Sequence, residues 1–136
     1  MTPETRETLQ RAHTWLAEDP ATRWTTGYFG VSWRQAPQQN ELAGCTSWSE
    51  LARVARSGEL VACCAAGLIG LASLNRAGNL DYQQIDEALA ALADCVAGPL
   101  TRSPSDAINT VTDWNDAARR TVRQVLDALQ RAIDAP

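Results

Sequence analysis

The chain has 136 residues, 45% of them hydrophobic and 21% charged. That is enough apolar material for one core and too little length for two ordinary domains. Twelve basic residues, all Arg, face 16 acidic ones for a formal charge of −4, which argues against disorder and gives no general attraction to nucleic acid or anionic lipid.

Thr2-Pro3-Glu4 reads as an N-cap followed by Pro at the first helical position. Leu9, Ala12, His13 and Leu16 recur at helical spacing until Asp19-Pro20, so a helix is predicted over 3–18. No apolar run behind basic residues opens the chain, so no secretory leader is expected and a cytoplasmic setting follows.

Residues 20–46 carry Gly27, Gly30, Pro37 and Gly44 as punctuation and keep neither a helical nor a two-residue period. Trp24, Tyr28, Phe29 and Trp33 place half of the eight aromatics within ten positions. The stretch reads as one long aromatic-rich loop, anchored or functional, with room for a short strand pair around Thr25–Trp33.

Ser47-Trp48-Ser49-Glu50 has the S-x-x-E capping-box pattern, and Ser57-Gly58 can end the helix it opens. The uncharged run Leu60–Asn75 then reads as a buried central helix over about 59–74. It would span roughly 24 Å, short of the roughly 30 Å of a bilayer core. Its Ala and Gly residues favour close packing, which offsets a helical Gly's cost of about 1 kcal/mol.

Asn75–Asn79 is turn-rich, and Asp81 can cap a helix that Gly98-Pro99 stops. Ser103-Pro104 starts a turn or two of helix. From near Asp113-Trp114-Asn115-Asp116 an amphipathic helix of about 18 residues is predicted, through Val122, Val125, Leu126, Leu129 and Ile133. The expected fold is a single-domain, all-α bundle over 1–136, with about five helices and one long loop, residues 20–46.

Cys45, Cys63, Cys64 and Cys95 form no C-x-x-C pair, and there is one His. Reduced, buried thiols are expected, with no metal and no cofactor. His13 could serve as base to Cys64 or Cys45, oriented by Asn115 or Asp116, but nothing local brings them together. Arg119, Arg120 and Arg123 have Asp116 and Asp127 as neighbours on the same helix and read as a solvated face rather than a phosphate site.

Two stretches, Leu60–Ala72 and Val111–Ile133, resemble a family of small uncharacterised proteins from actinobacteria and their phages, a domain of unknown function. The resemblance rests on Cys64 with Gly67 three residues on, on Trp114-Asn115-Asp116 as a W-N-D tripeptide opening the C-terminal helix, and on Trp24 followed by Gly27. It implies no known reaction.

Two functions are expected to compete. The first is a small non-enzymatic interaction or regulatory protein, phage-encoded and acting on a bacterial host protein. Its partner surface would be Trp24, Tyr28, Phe29 and Trp33, since aromatics dominate such sites; no nucleic acid or membrane is expected, and a homodimer is compatible. The second is a small-molecule-binding or enzymatic bundle, with a pocket formed by Trp24, Gly27, Cys64, Trp114, Asn115 and Asp116.

Overall fold

Helix α1 covers Pro3–Glu18, the span its cap and periodicity predict; the Thr2 side chain accepts the Thr5 N–H at 3.1 Å. Leu9, Ala12 and Leu16 form its buried stripe, and His13 lies half-buried at the edge. The computed structural model describes residues 1–35, 40–99 and 102–136, and the side chains of 33–35 and 40–43 lie outside that description.

The long connection is not a loop. It holds a short helix α2 (Pro20–Arg23) and two strands, β1 (Gly30–Gln35) and β2 (Asn40–Cys45), paired antiparallel from Gly30 opposite Cys45 to Gln35 opposite Asn40. A third strand, β3 (Leu60–Cys63), pairs antiparallel with the other edge of β1, so the order is β2-β1-β3. The all-α expectation is therefore corrected: the protein is mostly helical, with seven helices among the described residues and a three-stranded sheet.

The predicted central helix over 59–74 divides into β3 and helix α4 (Ala65–Ala72), separated by Cys64. A short apolar run does not distinguish strand from buried helix by period alone. Here β1 needs a second partner, and Leu60–Cys63 supplies it. Every residue of α4 except Leu71 is buried, as in a helix packed by α1, α3 (Trp48–Ser57), α5 (Tyr82–Ala97) and α6 (Pro104–Asn115).

Ser47 caps α3 through the Glu50 N–H at 3.2 Å, while the Glu50 carboxylate accepts from Thr46 Oγ1 at 3.3 Å. Asp81 caps α5 as its sequence suggests. The last helix is the second correction. Helix α6, opened by a Ser103/Asp106 capping box, runs all the way to Asn115, so the W-N-D tripeptide closes a helix instead of opening one. The chain turns through Arg119, at φ +68°, and α7 begins only at Val122, where Thr121 and Gln124 form their own capping box. Helix α7 (Val122–Asp134) lies against α1 and α5.

Candidate functional site

Four separated segments meet around the start of α4. Cys64 leaves β3 in an extended conformation and caps α4, its Sγ accepting the Gly67 N–H at 3.4 Å. Its own N–H donates to the Phe29 carbonyl at 3.2 Å, and Phe29 N–H donates to the Cys45 carbonyl at 3.0 Å. The Phe29 carbonyl also lies where a Cβ on Gly67 would stand. The glycine is therefore required by close approach of two backbones.

The segment before β1 is held to β3 by a parallel bridge between Trp24 and Cys63, with Thr25 N–H donating to the Cys63 carbonyl at 3.1 Å. Gly27 has φ +82°, a conformation that L side chains rarely adopt, and so turns its N–H onto Asp116 Oδ1 at 3.0 Å.

Asn115 joins these pieces. Its Oδ1 accepts Trp24 Nε1–H at 2.7 Å and Ala65 N–H at 2.9 Å; its Nδ2 donates to the Thr25 carbonyl at 3.1 Å and to Asp116 Oδ1 at 2.9 Å. Trp24 and Ala65 can only donate and Thr25 O can only accept, so the amide has one orientation. All four of its bonding positions are used in a fully buried side chain (0% exposed). A fully satisfied buried network of this kind specifies one arrangement of its segments.

In front of this knot lies a cavity of about 260 Å³. Gly27, Tyr28 and Phe29 line it from the segment before β1, and Cys45 and Thr46 from the end of β2. Cys64, Thr112 and Asp116 complete the lining from the start of α4 and the end of α6. Asp116 Oδ1 is fixed by Asn115 and Gly27, whereas Oδ2 has no hydrogen-bond partner among the described residues.

Of the six pocket candidates, Gly27, Cys64 and Asp116 line the cavity, while Trp24 and Asn115 stand behind it as its support. Trp114 is elsewhere: its ring lies 4.1 Å under the Arg120 guanidinium, and its carbonyl accepts Arg120 Nε–H at 2.8 Å. Among the partner candidates, Trp24 and Phe29 are half-buried and packed on the core, and Phe29 stacks on Trp48 with centroids 4.3 Å apart. Tyr28 is exposed, and the Trp33 side chain lies outside the described residues. Cys45, singled out in the sequence only as a possible partner of His13, lines the cavity too, whereas Thr46 and Thr112 went unread because only the β1–β2 register and the full length of α6 bring them here; no local motif marks them.

Burial pushes the Cys64 thiol up to about 11, and the Asp116 charge adds to the effect; the N–H bonds at the helix start pull the other way and are outweighed. Burial also holds Cys63 well above the ordinary thiol value, with Cys64 and Cys45 adding, and Cys45 is raised by burial and then by Glu50, against a smaller opposing effect of Arg53. These are neutral thiols at neutral pH, poor nucleophiles. His13 does not line the cavity. Cys45 and Cys63 both sit opposite Gly30 in register, two strand spacings or about 9.5 Å apart, too far for a disulfide without backbone movement.

Among the described residues, no three His, Cys, Asp or Glu side chains are grouped to hold a metal ion, and no helix is long and apolar enough to cross a membrane. A larger hollow of about 560 Å³ between the start of α1, α5 and the last two residues contains none of the candidates. No curated protein and no solved structure matches the chain. A family model described as a family of unknown function, DUF6197, matches residues 1–135, and the chain belongs to that family.

Proposed function

We propose that this protein is a small-molecule-binding domain whose ligand occupies the cavity at the start of α4. The observation that carries the reading is the convergence of Gly27, Cys64 and Asp116 on one cavity, from three segments stapled together by the buried amide of Asn115. Polar groups held by a rigid support beside a concave surface are the usual form of a ligand site. Binding is favoured over catalysis because the thiols in the lining are held neutral and no imidazole stands beside them. It is favoured over an aromatic docking surface because Trp24 and Phe29 are engaged in holding the fold.

The test is a fragment screen read by ¹H–¹⁵N spectra, with cationic, neutral and anionic fragments in equal number. Bound fragments are expected to shift the amides of Gly27, Thr46 and Cys64. Thr112→Leu, which puts a larger side chain into the cavity wall while leaving the Asn115 bonds intact, should abolish those shifts. Fragments that shift only amides elsewhere, or shifts that survive Thr112→Leu, would refute the reading.

A further inference from the structure

We infer that the ligand presents a compact organic cation, an ammonium or guanidinium group, to Asp116 Oδ2. The inference rests on the pocket reading and names the chemistry of the same site.

Asp116 is oriented by neutral donors, the Asn115 amide and the Gly27 N–H, both on Oδ1. Arginine is the only basic side-chain type that this chain could set against a carboxylate apart from its one His, and three arginines follow within seven residues. Yet no ion pair is made to Asp116 among the described residues. Arg120 is turned onto the Trp114 ring, the Trp114 carbonyl and Gln124. The exposed Asp116 carboxylate at the cavity rim is thus held through Oδ1 without being neutralised, and Oδ2 has no protein partner among the described residues.

The rest of the wall has no positive side chain to attract an anion. The Thr112 hydroxyl is engaged with the carbonyls of Ile108 and Asn109, and Thr46 donates to Glu50, whose carboxylate stands one residue behind the lining. Arg53, close enough to act on Cys45, lies outside the wall. Of the N–H groups at the start of α4, Ala65 is taken by Asn115 and Gly67 by Cys64, and that of Ala66 acts on the Cys64 sulfur. An anionic ligand would meet the Asp116 charge, whereas a cation would gain a charge-assisted hydrogen bond. Tyr28 in the lining adds an aromatic group for the cation's flank.

The experiment titrates the full chain with benzylamine, benzyl alcohol and benzoate, three probes of similar shape, and follows the Gly27, Thr46 and Cys64 amides. Benzylammonium should bind about tenfold more tightly than the alcohol, the worth of one charge-assisted bond. Asp116→Asn keeps an oxygen for Gly27 N–H and removes the charge, so it should erase that preference. If the variant fails to fold, a salt series on the native chain decides: added NaCl should weaken the amine and leave the alcohol unchanged. Equal binding of amine and alcohol, tighter binding of benzoate, or a preference that survives Asp116→Asn or added salt overturns the inference while the pocket reading stands. If none of the three probes moves these amides, both fall.

Discussion

Trp24 Nε1 donates to Asn115 Oδ1 at 2.7 Å across 91 positions of sequence, and through that amide the segment before the sheet, the start of α4 and the end of α6 become one unit. Removing it leaves Trp24 Nε1–H and Ala65 N–H, and the Thr25 carbonyl, without their partner. Asn115→Ala should therefore cost about 3–5 kcal/mol, because unsatisfied buried groups lose their full desolvation energy. Trp24→Phe, which removes one donor, should cost about 1–2 kcal/mol. Urea unfolding of the two variants checks the order; similar costs for both would show that the amide is not the shared centre.

Gly67→Ala improves the intrinsic helix propensity of α4 by about 1 kcal/mol, yet the new methyl meets the Phe29 carbonyl. A backbone atom cannot swing aside as a side chain does. The variant should lose about 2–3 kcal/mol net, and its Phe29 and Cys64 amides should exchange with solvent faster. A stabilised variant would mean that the two backbones do not touch.

The sign of the Cys64 shift makes alkaline stability testable. The folded state holds the proton up to about pH 11, while an unfolded thiol releases it near its ordinary value of 9.0. Between those values the native state binds more protons than the unfolded one, so stability falls as pH rises through that window. The contribution is of order 2 kcal/mol. Cys64→Ser keeps a capping oxygen for the Gly67 N–H and has no thiol to ionise, so its stability should decline less between pH 8 and 11. Parallel denaturation curves at both pH values would contradict the assignment.

Cys95 is only partly buried, whereas Cys45, Cys63 and Cys64 are 0–2% exposed. Ellman's reagent at pH 8 should label Cys95 in a fast phase and the other three at the rate of unfolding. Cys95→Ser should remove the fast phase alone.

The helices with strong local signals were legible. The Thr2 cap and the stripe of Leu9, Ala12 and Leu16 fixed α1, and Asp81 with Ile85, Leu89 and Leu92 fixed α5, because cap chemistry and a 3.6-residue period act within a few positions. The sheet was hidden. Its third strand is Leu60-Val61-Ala62-Cys63, four apolar residues that read equally well as helix until β1 is known to need a partner. The W-N-D tripeptide misled for a related reason: Asp and Asn are favoured N-cap residues, but Asn115 sits at a helix C-terminus and spends its amide on Trp24, Ala65, Thr25 and Asp116. The candidate site was half legible. Gly27, Cys64 and Asp116 were singled out, while Thr46 and Thr112 reach the cavity only through strand register and helix length.

Asn115 both rivets the chain and steers the neighbouring carboxylate. Occupancy of that cavity and cohesion of the native state would therefore be coupled: a molecule that binds only the folded chain against Asp116 would add RT ln(1 + [L]/Kd) to its stability, so heat resistance would climb with the logarithm of ligand concentration over Kd.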